Sequence, residues 1–295
     1  MEQTIETVIV GPATGRGGSR PLRFAGLTRM RPGLLLAAIF VVLLILAAAV
    51  PQWLAPYDPL DASARLAFQP PGGVHWLGTD ENGRDVLSRL IHGVRPSLFM
   101  GLAATALGLA LGTLLGLFAG LGPRWLDGAL MRGIDVLLAF PDLLLALVII
   151  TFFGLGTANL ILAVGIAGIP RYARLVRAQT LNVRNSGYVE AALTLGQSQL
   201  AVVLRHILPN AMKPVLILAI IGIGGTITAG AALSFLGFGT PPPAPEWGAM
   251  LAVGRSFLAN APWLVAWPAL IITFTVVAIS AIGRELLRRS EGKSL

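Results

Sequence analysis

Cysteine is absent from all 295 residues, which excludes a disulfide framework, a thiol nucleophile and a thiolate metal site, and leaves the redox compartment unreadable. Charge is scarce as well: Asp, Glu, Lys and Arg make up 12% of the chain, about half of what a soluble domain carries. The string Gly-x4-Gly-Lys-Ser/Thr occurs nowhere, so the chain has no phosphate-cradling loop of its own. No catalytic residue and no metal ligand set stands out. What fills the sequence instead is hydrocarbon, with 55% hydrophobic residues, and this composition defines a multi-spanning membrane protein of all-α class.

The net charge of +8 does not indicate nucleic acid, because the basic residues fall in the loops of one side. Six apolar runs are expected to span, at about 33–52, 96–122, 133–154, 157–171, 214–237 and 262–283. With the amino terminus inside, seventeen basic residues lie on the cytoplasmic side and five, Arg65, Arg84, Arg89, Arg95 and Arg255, on the other. Fusing the third and fourth runs would move the basic residues of 171–213 and of the carboxyl terminus to the wrong face, so the positive-inside rule selects six spans. Residues 1–32 are expected to form a disordered cytoplasmic tail and 290–295 a second one. The first run, too long for a signal-peptide core, is read as an uncleaved span despite Ala47-Ala48-Ala49.

Segment 53–95 is polar and proline-rich, and includes Asp80-Glu-Asn-Gly-Arg-Asp85. Its alternating Asp, Asn and Gly hint at a calcium loop, but the acidic residue that would close the loop is missing; a capped turn is the simpler reading. In the second span Gly108, Gly112, Gly116 and Gly120 recur every fourth residue, a spacing that lets another helix approach closely. Asp135 and Asp142 sit in the third run. Asp135 is expected to pair with Arg132 one turn away, and Asp142 is placed towards the cytoplasmic half and not read as a proton relay. Arg171, Arg174 and Arg177, at i, i+3 and i+6, continue the fourth helix along one face and read as positive-inside anchoring. Trp263 and Trp267 are expected in an outer aromatic belt.

A polar island from Arg171 to Lys213 interrupts the apolar pattern. Gly187 is expected to cap a short helix with Glu190 in its first turn, where a carboxylate meets the positive end of the helix dipole. Gly196 stops it, Ser198 caps a second short helix, and Pro209 ends that one. Helices this short need a surface to pack against: the membrane, or another protein.

The island reads Glu190-Ala191-Ala192-x3-Gly196-x9-His206-x-Leu208-Pro209, and this resembles the Glu-Ala-Ala loop of permease subunits in binding-protein-dependent ABC importers, E-A-A-x3-G-x9-I-x-L-P. His206 replaces the usual Ile, and His-Ile-Leu-Pro-Asn is similar to the dipeptide, oligopeptide and nickel branch. Two further strings resemble that branch. One runs Gly78-Thr79-Asp80-x-x-Gly83-Arg84-Asp85; the other is Leu233-Ser-Phe-Leu-Gly followed by prolines and Trp247-Gly-x-Met-Leu. The family's usual Asn-Leu-Leu-Gly-Asp-Gly ending is replaced by Ser280-Ala-Ile-Gly-Arg-Glu.

The resemblance implies a type I importer permease of the bacterial inner membrane, multi-pass, with both termini cytoplasmic. Its partners would be a homologous permease, two ATPases that bind ATP and Mg, and an extracytoplasmic binding protein. Tyr188, Glu190, Ala191, Ala192, Gly196, His206, Leu208 and Pro209 would dock the ATPase. Nickel or another small solute is the alternative cargo. An ion-coupled secondary transporter would need buried charges and internal repeats; Asp142 is the one candidate, and no repeat is clear. An intramembrane hydrolase would need a nucleophile and base at one depth, whereas His206 and Ser97 or Ser234 lie far apart in the expected topology.

Overall fold

Lipid offers backbone groups no hydrogen bonds, so each apolar run satisfies its own by forming a helix. The computed structural model describes residues 32–290; the tail expectations for 1–31 and 291–295 lie outside them. Among the described residues there is no strand, only an isolated bridge between Thr79 and Asp85. The helices are α1 (Pro32–Ala49), α2 (Pro51–Leu54), α3 (Val86–Leu121), α4 (Arg124–Leu138), α5 (Asp142–Phe153), α6 (Thr157–Arg184), α7 (Gly187–Thr194), α8 (Gln199–Val202), α9 (Leu208–Phe235), α10 (Trp247–Gly254) and α11 (Trp263–Ser290). Five are long and apolar enough to cross a membrane, and α4 with α5 passes the same test only as a pair bent by 94°.

Several helices exceed the apolar runs that announce them. α3 begins ten residues before the expected start at 96, because Asp85 caps it by accepting the Ser88 N–H, and Pro96 is accommodated inside it. α6 continues past the expected end at 171 to Arg184, so its 28 residues span roughly 42 Å. α9 starts at Leu208 with Pro209 in its first turn and Pro214 inside; α11 runs on to Ser290. The expected continuous third span, 133–154, is instead broken by 94° between Leu138 and Asp142. Pro141 can donate no bond to Leu137 and pushes Phe140 out of helical conformation, which ends α4.

The most extensive pairing is α3 with α6, followed by α9 with α11. One core joins α1, α3, α10 and α11 around Trp247 and Leu264. A second joins α3, α5, α6 and α9 around Met100, Ile150 and Leu160. A third, small one lies at the far end of α3, where Leu121 and Val183 pack on Val189, Ala192, Val202 and Ile207.

Candidate functional site

The α3–α6 seam is built from glycine. A Cβ on Gly108 would stand 2.8 Å from the Gly165 carbonyl oxygen, on Gly112 2.9 Å from the Ala173 nitrogen, on Gly116 2.6 Å from the Ala173 oxygen, and on Gly120 2.8 Å from Thr180 Cβ. The two backbones therefore run in near contact over about three turns, and α6, the other half of the seam, leads directly into the polar island.

There α6 ends at Arg184 and α7 starts after Ser186, not Gly187, as its N-cap residue. Glu190 lies exposed in the first turn of α7. Gly196 turns the chain at φ +82°, a conformation only glycine takes at little cost. Nothing lies within 4 Å of a Cβ built there, so conformational strain alone, and no collision, demands glycine. Ser198 caps α8 by accepting the Ala201 N–H at 3.3 Å.

The second helix of the island is not short. α8 passes through a π-helical turn, Val203–Ile207, in which the Leu208 N–H donates to the Val203 carbonyl, and so into α9. Pro209, lacking an N–H, cannot bond the Arg205 carbonyl, and the ladder slips one residue around it without stopping. The hairpin is held by its small core and by His206, whose Nε2 lies 3.1 Å from Gln197 Oε1 and whose ring meets Tyr188 at 6.5 Å. Asn210 Nδ2 closes the turn on the His206 carbonyl at 2.7 Å. Ala192 is buried inward, while Tyr188, Ala191, Leu193, Leu195, Leu200, Leu204 and Pro209 are exposed. The result is an apolar knob carrying one carboxylate.

At the other end of α3 the segment before it forms a clamp. Asp80 Oδ1 accepts the Asn82 and Arg84 N–H groups at 2.9 Å, and Oδ2 accepts Arg84 Nε at 2.7 Å. Those bonds, with the Arg89 guanidinium at 3.4 Å, occupy the carboxylate in a capped turn. Among the described residues no group of three or more His, Asp or Glu is placed to hold a metal. Asp85 caps α3 and meets His75 Nδ1 at 2.9 Å. Gly78 and Gly83 both take positive φ, and a Cβ on Gly83 would stand 2.0 Å from the Ser63 oxygen. Trp263 donates from Nε1 to the Thr79 carbonyl at 3.1 Å in this clamp, and Trp267, half-buried, packs against the same core. Arg89 reaches across to the carbonyls of Pro59 and Pro243.

Trp247 is fully buried, donating from Nε1 to the Leu90 carbonyl at 3.1 Å over Gly93. Beside it Glu246, 4% exposed, caps α10 by accepting the Gly248 and Ala249 N–H groups at 2.8 and 2.9 Å. Burial pushes its carboxyl above the usual carboxylate range, against those two bonds, which pull it down. A raised folded value means that this group's contribution to stability is fully present below the ordinary carboxylate pKa, about 4, and declines as pH rises through the raised value. Glu246→Gln is therefore expected to flatten the fall of thermal midpoint with rising pH in the detergent-purified protein. Glu246→Ala should lower stability at every pH by a cap's worth, about 1 kcal/mol, and the thermal midpoint with it.

The three spaced arginines of α6, Arg171, Arg174 and Arg177, are not free anchors. Arg171 pairs with Asp142, Arg174 with Asp135, and Arg177 with Asp127 through two bonds, one of them 2.6 Å. Asp135 thus takes Arg174, 39 residues away, and not Arg132. The i, i+3, i+6 spacing is visible in sequence; the partners, brought alongside by the break between α4 and α5, are not.

Five apolar helices long enough to cross a membrane, a bent pair beside them, a glycine seam and an exposed apolar hairpin fit a membrane-embedded transporter component. The chain belongs to the family of binding-protein-dependent transport system inner membrane components, whose model matches residues 112–292. It is 43% identical over 251 residues to the glutathione transport system permease protein GsiD of Pectobacterium atrosepticum, covering 85% of this chain and 83% of that one. To the di/tripeptide transport system permease protein DppC of Pseudomonas aeruginosa it is 40% identical over 260 residues, 86% of each. Among solved structures, the MetNI methionine ABC transporter in an inward-facing conformation matches with TM-score 0.58 at 19% identity, over 68% of this chain and 95% of that one. An amino acid ABC transporter with histidines matches at TM-score 0.55 and 20% identity, over 69% and 94%. These two share the fold. The chain is a multi-pass, non-catalytic permease component that works with an ATPase and a binding protein.

Proposed function

We propose that the protein is one of two homologous permeases in an ATP-driven importer of di- and oligopeptides, coupled to its ATPase through the α7–α8 hairpin. The observation that carries this reading is the knob itself: a short helix with an exposed carboxylate and exposed leucines, held on the end of α3 by its own small core. Leu195 and Leu200 are 83% and 68% exposed, and exposed apolar side chains gathered at one spot fit a protein partner. Peptide cargo is supported by the glutathione and di/tripeptide permeases it resembles; nickel would call for ligating side chains, and no such cluster is present among the described residues.

In this reading the two ATPases bind ATP and Mg, the termini and the α7–α8 hairpin lie in the cytoplasm, and the clamp before α3 faces the binding protein. Tyr188, Glu190, Ala191, Gly196, His206, Leu208 and Pro209 form or shape the docking surface, and Gly108, Gly112, Gly116 and Gly120 transmit its movement to α3. Gly78, Thr79, Asp80, Gly83, Arg84, Asp85 and Trp247 hold the outer face rigid. Co-expression with the second permease, the ATPases and the binding protein, followed by reconstitution, tests the proposal. Tri-alanine should accumulate only with ATP and only with the binding protein. Accumulation driven by a proton gradient without ATP would point to the ion-coupled alternative.

A further inference from the structure

The Arg171–Asp142 pair sits in a place no anchoring role explains. At the α5–α6 turn, Thr157 Oγ1 meets Thr240 Oγ1 at 2.8 Å, which sets that turn level with the loop between α9 and α10. Arg171 follows fourteen residues along α6 from Thr157, roughly 21 Å at 1.5 Å per residue. With Thr157 taken as the outer end of the span, the pair stands about 9 Å short of the far edge of a hydrocarbon layer of about 30 Å. An ionisable group at that depth marks a pathway or a binding site.

The pair also faces open space. A cavity of about 630 Å³ lies between α6 and α9, lined by Arg171, Tyr172, Arg174, Ala178, Leu218 and Gly222. A smaller one of about 90 Å³, which includes Asp142, Gly168 and Thr226, shares Arg171, Tyr172 and Gly225 with it. The two make one groove with both charges on its wall. The side chains of Arg171 and Asp142 are 61% and 50% exposed, much as Arg174 and Asp135 are at 57% each, against 31% and 22% for Arg177 and Asp127; of these pairs the one that reaches the narrow end of the groove is Arg171–Asp142. Only Nη2 of Arg171 and Oδ2 of Asp142 are bonded to each other. That leaves Nε and Nη1 of the guanidinium and Oδ1 of the carboxylate with capacity for another molecule.

We propose that this groove is a solute-binding site on the translocation path, and that Arg171 and Asp142 read a zwitterion. A guest with a free carboxylate and a free ammonium can exchange partners with the pair. Its carboxylate takes the guanidinium, its ammonium takes Asp142, and no charge is left unpaired in a low-dielectric site. A guest carrying only one charged group can replace only one member of the pair and leaves the other without its partner. The groove's volume falls within the range of small-molecule sites and suits a short peptide. Tyr172 and the glycines of α9 form its walls, with Thr226 at the narrow end. The proposal rests on the peptide-import reading and names the residues that would carry its selectivity.

The test uses the complete reconstituted complex with saturating binding protein and two probes, di-alanine and tri-alanine. Arg171→Gln and Asp142→Asn should each lower uptake at least ten-fold, with the complex purified in equal yield. The decisive variant exchanges the charges, Arg171→Asp with Asp142→Arg. It restores an ion pair between α5 and α6 but reverses its polarity along the groove, so uptake should stay at least ten-fold down. Recovery to within two-fold would make the pair a structural clamp and overturn the proposal, as would single variants that transport normally. Should the exchanged protein fail to assemble, a photoreactive benzoylphenylalanine at exposed Ala178, in an otherwise unaltered chain, gives a separate reading. Radiolabelled tri-alanine should cross-link there during turnover and be displaced by unlabelled probe; absence of any cross-link overturns the site. An unaltered complex that accumulates neither probe fails the peptide-import reading before any variant is made.

Discussion

Gly112→Leu is expected to abolish the folded permease. A Cβ at this position would stand 2.6 Å from Tyr172 Cβ and 2.9 Å from the Ala173 backbone nitrogen, and a backbone cannot rotate away as a side chain can. The rest of the leucine would have to separate α3 from α6 along the most extensive helix pairing in the molecule. Overpacking a well-filled core costs about 1–3 kcal/mol, and here the loss is compounded because small residues are what holds two membrane helices together. The measurement is the yield of monodisperse permease after detergent extraction, expected to fall at least ten-fold. Gly128→Ala is the control: a Cβ there meets nothing within 4 Å, and alanine gains up to about 1 kcal/mol over glycine in a helix, so yield should hold or rise. Equal yields for both variants would refute the close-packed seam.

Gly196→Val should leave folding nearly intact and remove coupling. The site is open, so the cost is the positive φ that a β-branched residue resists, and the chain must reorient α7 relative to α8 to relieve it. That displacement moves Tyr188, Glu190 and Leu193 off the surface they share with Leu200 and Leu204. Glu190→Ala acts more narrowly, removing a charge that favours the start of α7 by roughly 0.3 to 1 kcal/mol together with any contact it makes to a partner. Both should purify as intact permease pairs. Substrate-stimulated ATP hydrolysis should fall at least ten-fold for Gly196→Val and less for Glu190→Ala. Normal hydrolysis in Gly196→Val would return the hairpin to the membrane surface as a lipid-facing amphipathic loop.

Local pattern carries most of the architecture. Gly108, Gly112, Gly116 and Gly120 announce a close contact by spacing alone, and Gly196 announces an elbow, because each depends on residues a few positions apart. Helix ends are less legible. Pro96, Pro209 and Pro214 look like stops, yet each is absorbed: the first and last within long helices, and Pro209 by a π-helical turn that shifts the hydrogen-bond ladder by one residue. Pro141 does break its helix, and nothing in the local sequence separates it from the others. Sequence pairs Asp135 with Arg132 because one helical turn is the only distance it offers. The real partner, Arg174, is brought near by the 94° bend, a tertiary event. Glu246 gives no signal among the prolines around it, although its two bonds start α10. The polarity of Arg171 and Asp142 is visible in the chain, whereas the groove between them and α9 exists only in three dimensions.

Whether an ATPase grips the α7–α8 hairpin is directly measurable because the chain has no cysteine. A single Ala191→Cys substitution supplies the only thiol in the chain, on an exposed position of α7. Its rate of labelling by a water-soluble maleimide is compared in the permease pair alone and in the pair with its ATPases bound. Docking at the hairpin predicts at least ten-fold slower labelling in the full complex, with labelling of a control variant, Trp76→Cys at another exposed position, unchanged. Equal labelling of the Ala191→Cys thiol with and without the ATPases would contradict the account.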